Sequence, residues 1–521
     1  MISTKRFLKL SGKASSNAPR VRDEAFGAQS LFSREPLDFD LVTQLTHMSA
    51  VATSGVARDR LFEGTASLEY STSKYFRRVH RVAQRLQYDY SKACEVVADQ
   101  VKVESVQNLL LHFATALSAG EAESDFLERE TEVQLELYGK KYERDIEGLR
   151  NWTDAYIALM VSTTLIVVIS LVSMMIYPVG TVALIGLAFI VMMVTAAGSW
   201  IIYTVAPHEV KTHRLKRKSA EQSQMDKLGL ILVTVTGPVL VLSWMFLSLG
   251  VGMILSAIIL TPLGYLAHKD DRKIDQRDIA LAPFFRGLGS VMGAVGTTTA
   301  EGLARLNRRS LGGMEPHVHK LYVRLKNDIA PPLVWARLSG ETGSELVTRT
   351  ARIFEEGIRL GGDPAVVGTL ASEFATKVTL LRQTRNLIGN TFVFVVMPMH
   401  AALLGIMLFV TEVVRVFGAE ISKVQDANLD SELVREAGVS QAITFASPDM
   451  SFIGLFVSVM ILMLTAANAF APYAAAGGHR FKLFIYLGGT MMISGIAMLV
   501  IPEVVQNLFK SVSESPLTSG Q

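Results

Sequence analysis

Cysteine is almost missing from this chain: the 521 residues hold one, Cys94. A single thiol excludes an internal disulfide and a multi-cysteine metal site. In its helical setting beside Glu95 it reads as a small buried apolar residue or, alternatively, as a reactive thiol. Signatures of catalysis are missing too. There is no G-x-x-x-x-G-K-[ST] phosphate loop, no G-x-S-x-G elbow and no H-E-x-x-H pair. His317 and His319 lie two apart, which is not the i, i+4 spacing of a helical metal pair, so both read as facing solvent or a partner. Gly287–Gly296 is glycine-rich but follows no strand and lacks the dinucleotide spacing, so helix packing explains it better than a phosphate cradle. No catalytic residue, cofactor or metal is expected. The formal net charge is only +3, which implies no bulk field for nucleic acid. Proline is absent from 38 to 177, so nothing of that kind breaks the helices there. No secretory signal is present: Lys5, Arg6, Lys9 and Lys13 are followed by no apolar run of signal length.

What is present is apolar. Half of the residues are hydrophobic and the mean hydropathy is +0.32, yet 19% are charged. That balance fits membrane spans alternating with soluble domains. A hydrocarbon core needs about 20 apolar residues of helix. Seven runs qualify: 155–177, 181–203, 228–247, 249–267, 387–409, 451–471 and 483–501. The third and fourth abut near 248–250, where one long tilted span or a re-entrant pair also fits. Between them lie a basic tail (1–37), a helical domain (38–151), a basic loop (204–227), a second helical domain (268–386), an acidic loop (410–450) and a tail (502–521). Residues 155–203, 228–267 and 451–501 group the paired spans. The expected fold is all-α: a polytopic membrane protein with about seven transmembrane helices and two repeated helical bundles.

Basic loops set the orientation. The loop 208–227 carries Lys211, Arg214, Lys216, Arg217, Lys218 and Lys227 against three acids, whereas 414–450 carries three basic residues against six acids. The expected topology puts the N-terminus and both bundles in the cytoplasm, with the C-terminus outside. The 1–37 tail reads as poorly ordered, either solvated or touching anionic lipid of the bilayer.

The two charged blocks match each other. The Ser49–Gly55 stretch sets beside Ser290–Gly296, an offset of 241; Leu117–Gly120 sets beside Leu360–Gly362, an offset of 242 between Gly120 and Gly362. Gly289 and Gly293, with Gly296, offer a flat helix face, and Gly55, Gly120, Gly296 and Gly362 mark helix ends. Asp363 and Pro364 then suit the start of a helix.

This pattern resembles the type II secretion system F domain, carried by 43–61 with 118–127 and by 284–303 with 360–374. Two such domains, each followed by spans, resemble the platform proteins of archaeal type IV pili and archaella. The resemblance implies a membrane platform that docks a hexameric secretion ATPase, couples it to prepilin-like filament subunits, works as a homodimer and hydrolyses nothing itself. Arg305, Arg308 and Arg309, with Arg214, Lys216, Arg217 and Lys218, are the docking candidates; lipid headgroups and the positive-inside rule also account for much of 214–218, whereas Arg308 and Arg309 lie far from any span, where complementary acids on a cytoplasmic partner explain them better. A secondary transporter is the competing reading; it needs charged residues and broken helices at the midplane, and Pro398 with His400 is the main candidate there. His400, inside the fifth span, reads as a hinge or a polar helix contact, with Asn468 as its partner, or as a neutral ring on the carbonyl freed by Pro398.

Overall fold

The computed structural model describes residues 37–176, 181–213, 215–428 and 450–513. Residues 1–36 of the expected 1–37 tail, the turn at 178–180, Arg214, most of the acidic loop (429–449) and the last residues, 514–521, lie outside the described residues. Six helices open the chain: α1 (Leu37–Ala52), α2 (Arg58–Ser67), α3 (Ser73–Leu86), α4 (Tyr90–Ala98), α5 (Glu104–Ser118) and α6 (Glu123–Ile176). Then come α7 (Thr181–Val205), α8 (Ala220–Phe246) and α9 (Leu249–Ile279). The second bundle follows as α10 (Leu281–Val295), α11 (Thr299–Arg305), a 3-10 segment (Arg308–Met314), α12 (Glu315–Lys326), α13 (Pro331–Thr342), α14 (Glu345–Arg359) and α15 (Pro364–Asn428). Finally α16 (Met450–Ala476) and α17 (Leu483–Ser513) close the described chain. The protein is an all-α polytopic membrane protein: among the described residues seven helices are long and apolar enough to cross a membrane, and there is no strand beyond one Thr212–Ser344 bridge.

Local chemistry starts and stops these helices. Asp89 accepts from the Ser91 amide at the head of α4, Ser344 from the Val347 amide at the head of α14, and Asp363 from Ala365 and Val366 at the head of α15. Such caps each contribute about 1 kcal/mol. In α3, Phe76, Val79 and Ala83 form one buried stripe, and the basic residues occupy the other side.

The repeat is held in register by backbone geometry. Left-handed residues occur at Gly55, Gln87 and Gly120 in the first bundle and at Gly296, Asp328 and Gly361 in the second, each pair 241 apart. The starts of α2, α4, α5 and α6 map onto those of α11, α13, α14 and α15 with the same offset. This corrects the sequence alignment at one point. The left-handed residue is Gly361, not Gly362, because the Gly362 amide reaches back to the Gly357 carbonyl at 2.9 Å and so places Gly361 at the turn. Gly362 instead packs: a Cβ there would lie 2.6 Å from the Thr53 hydroxyl.

Each bundle has its own core. The first buries Leu45, Met48, Phe62, Phe76, Phe113 and Leu127. The second buries Phe284, Phe285, Leu288, Trp335 and Phe354, and also takes in Phe39, Val42 and Ala50 of α1 and Tyr138 and Tyr142 of α6. The bundles therefore share α1 as a common wall. In the second, α10 crosses α15 with glycine on both sides: a Cβ on Gly289 would lie 2.9 Å from the Gly368 Cα, and one on Gly293 would lie 3.2 Å from the Ala365 Cβ.

The segment 228–267 forms two helices. Ser248 caps α9 through its hydroxyl, and Gly252 lies against Ser243 and the Leu240 carbonyl, so α8 and α9 fold back as a hairpin. Leu230, Ile231, Met245 and Phe246 of α8 point outward, as a lipid-facing surface does. Helix continues beyond the apolar runs in α15, which reaches Asn428, and in α17, which reaches Ser513, because nothing in those flanks breaks it.

Candidate functional site: a buried charge joint below the apolar helices

Where α15 approaches its apolar run, four cations and four carboxylates are gathered from distant parts of the chain. Arg382 donates to Glu209 and, at 2.5 Å, to Asp278. Lys211 lies 2.8 Å from Asp271 and 2.7 Å from Asp275, and Lys482 lies 2.8 Å from Asp271. Arg385 pairs with carbonyls instead: Pro207 at 2.8 Å, and Ala474 and Ala475 at 3.2 Å, where it closes the C-terminal end of α16. The set is neutral as a whole, which is what burial of this many charges requires. Tyr142 of α6 donates to Glu209 at 2.9 Å, so the first repeat also enters the joint. Burial alone would push the Glu209 carboxyl upward; Arg382 and Arg385, with the Tyr142 hydrogen bond, outweigh it and hold the group below the usual range.

Glycine makes this joint possible. Gly477 and Gly478 both adopt positive φ, and a Cβ on them would lie 2.6 Å from the Arg385 guanidinium and 2.8 Å from the Asp271 carboxylate. A cavity of about 20 Å³ beside Arg382, Arg385 and Gly478 has room for one water.

The loop between α7 and α8 is laid along the second bundle. The His213 amide donates to the Gly343 carbonyl at 3.4 Å, the Glu345 amide to the Lys211 carbonyl at 3.0 Å, and the Gln222 side chain to the Gly343 carbonyl at 3.2 Å. Gln222 and Ser219 also donate to Asp270 of α9. Ser344 donates to Asp278 at 2.5 Å while capping α14. One short stretch thus binds α9, α13, α14 and α15 together.

A second buried cluster joins the bundles along α1 and α14. Arg349 lies 2.7 Å from Asp40 and 2.8 Å from Glu345, and its guanidinium sits over the rings of Phe39 and Tyr70. Seven residues along both helices, His47 meets Glu356 at 2.5 Å. Burial would raise the Glu356 carboxyl, and the His47 contact outweighs it, so the group is held low.

Inside the apolar layer a chain of hydrogen bonds runs through four helices. Tyr156 of α6 donates to the Asn468 carbonyl oxygen of α16 at 2.9 Å. The Asn468 amide donates to His400 Nδ1 of α15 at 2.9 Å, which leaves the ring hydrogen on Nε2 facing Ser494 of α17 at 3.0 Å. Ser494 meets Thr465 at 2.7 Å, and Thr465 donates to the Ile461 carbonyl. A neutral His400 satisfies every group in this chain. The ring bonds side chains of two neighbours rather than the carbonyl freed by Pro398, which lies inside α15.

The residues singled out in the sequence are scattered. Lys216, Arg217 and Lys218 are exposed; Lys218 pairs with Asp226, and Arg217 lies against Gly340. Arg305 and Arg309 are exposed at the end of α11 and in the 3-10 segment that also holds Arg308. None of these lies in the charge joint. Gly55, Gly120 and Gly296 have open space around them and serve as turns. Glu209, Asp271, Asp278, Arg382, Arg385 and Lys482 were not picked out from sequence. Their available signal was position: most lie within a few residues of an apolar run, where summing loop charges hides them.

This geometry defines a class: a polytopic helical membrane protein with two repeated bundles, the second of which is fastened to the apolar helices by buried charge. The chain is similar to flagella accessory protein J of Methanococcus voltae, with 21% identity over 448 residues, covering 84% of this chain and 79% of that protein. It is also similar to flagella accessory protein J of Methanocaldococcus jannaschii, with 25% identity over 323 residues, covering 59% of this chain and 57% of that protein. No protein-family model matches the chain, and neither does any solved structure.

Proposed function

We propose that this protein is a membrane platform of an archaellum or type IV pilus-like assembly machine. In this role it docks a cytoplasmic hexameric ATPase, as a homodimer, and passes its motion to filament subunits at the membrane. The N-terminus and both bundles are cytoplasmic on this reading, and the C-terminus is outside. The observation that carries it is the continuity of α6 and α15. These helices have 54 and 65 residues, so they extend about 80 and 100 Å from the tips of the bundles through the apolar layer. A push on a bundle has a rigid route inward, because α15 carries the bundle crossing at Gly368, the charge joint at Arg382 and the polar chain at His400 on one rod. The similarity to two flagella accessory proteins supports a place in filament assembly.

The test uses the full chain in lipid nanodiscs with the cognate secretion ATPase. Binding and a changed hydrolysis rate are expected. If the reconstituted protein binds no such ATPase and instead moves a solute down its gradient in liposomes, the transporter reading replaces this one.

A further inference from the structure

Helix α3 carries Lys74, Arg77, Arg78, Arg81 and Arg85, all exposed, and no acid. Their spacing of 3, 1, 3 and 4 residues puts all five on one side of the helix. Among the described residues none of the five lies within ion-pair distance of a carboxylate. Arg77 donates to the Ala66 carbonyl, Arg78 to the Gln100 side chain and Arg81 to the Arg77 carbonyl of its own helix. Just past the end of the stripe, Leu86 is 55% exposed and Tyr88 44% exposed. Cations rimming exposed apolar side chains have the composition of a protein interface.

The second bundle lacks this feature. Its counterpart α12 starts with Glu315, and its Arg324 is spent on a two-point pair with Glu341. The stripe is therefore a property of one repeat, not a by-product of the fold.

Lipid does not explain it. His80, in the middle of α3, touches Tyr90; Tyr90 stacks on Phe62, Phe62 on Phe113, and Phe113 on Phe126 of α6. Phe126 precedes the apolar run of α6 by 29 residues, about 45 Å of helix. A membrane surface at that distance lies several Debye lengths away at physiological salt.

We infer that the exposed face of α3, with Leu86 and Tyr88 at its end, docks an acidic surface of the motor protein. The inference rests on the platform reading and supplies its contact face. It moves that face from Arg305, Arg308 and Arg309 on the second bundle to the far flank of the first.

The test compares three versions of the full chain in nanodiscs for binding to the cognate ATPase at low and moderate salt. One carries K74E, R81E and R85E, which spare the Arg77 and Arg78 hydrogen bonds. A second carries R81K and R85K, which keep the charge. A third carries R305E and R309E. The reversal is expected to weaken binding by about ten-fold or more at low salt and to flatten its salt dependence, while the lysine version binds as the parent does. An unchanged thermal midpoint shows that the reversed protein is folded. If the parent binds and the α3 reversal binds equally well, the inference fails and the platform reading stands. If the parent binds no ATPase, the platform reading fails first. If the reversal lowers affinity for nanodiscs or vesicles of anionic lipid instead of for the ATPase, the stripe is a lipid contact and the inference is overturned.

Discussion

The two bundles share a backbone and differ in what fills it. Their left-handed positions coincide at Gly55 and Gly296, Gln87 and Asp328, and Gly120 and Gly361. At the crossing of the opening helix with the long helix, the second bundle places Gly289 and Gly368, and the first places Met48 and Leu127 at the matching positions. At the upper end of the long helix, the second bundle has Arg382, buried between Glu209 and Asp278. The matching residue of the first, Lys141, is half in water and pairs with Asp38. The repeats thus share their turns and helix starts, and differ in side-chain caps, helix spacing and charge. The second bundle is clamped by a loop onto the apolar helices; the first presents an unpaired basic face.

That comparison can be broken most sharply at the charges. Arg382→Ala leaves two buried carboxylates facing each other, and a loss of about 3–5 kcal/mol is expected. Lys141→Ala, at the matching exposed position, should cost less than about 1 kcal/mol. Thermal unfolding of the two variants in detergent measures both. Equal losses would show that the joint is not the structural fastening described.

The helix crossing comes next. Gly289→Met puts into the second bundle the side chain the first already holds, but backbone from Gly368 occupies that space, and about 2–3 kcal/mol of overpacking is expected. Met48→Gly in the first bundle should lose a similar amount by opening a cavity, together with the backbone entropy of a new glycine. Proteolytic half-lives of the two bundles tell which one loosens.

Between the repeats lies the polar chain. His400→Leu strands the Asn468 amide and leaves Ser494 its Thr465 contact alone, and about 1 kcal/mol is expected, as for other hydrogen bonds between apolar helices. Tyr156→Phe, which frees only one acceptor on Asn468, should cost less, and a larger loss there would shift the main link toward α6.

The smallest effect is at the turns. Gln87→Gly and Asp328→Gly both relieve a left-handed side chain, and each is expected to change stability by no more than about 1 kcal/mol and in the same direction. Opposite signs would mean that the turns are equivalent in backbone only.

Much of this protein was legible without coordinates because hydrophobicity and small residues act locally. Apolar length marked the seven long helices, and the paired glycines marked the repeat to within one residue. The missed residue, Gly361 in place of Gly362, turns on which amide reaches back to Gly357, and adjacent glycines give no sign of that. The charge joint was illegible for another reason. Glu209, Asp278 and Arg382 are separated by about 70 to 170 positions, and each alone resembles a solvated charge. The α3 stripe was present in the sequence, but only the fold shows that no acid from α1, α2 or α4 neutralises it.

The sequence by itself determined the helical class, the apolar runs and the duplication, because these follow from side-chain period, segment length and backbone freedom at glycine; that 228–267 is two helices and not one came from the fold. Tertiary structure alone decided which charges are buried and which are free. That outcome depends on partners brought together from remote segments, and the large cost of an unpaired buried charge makes the assembled fold choose among them.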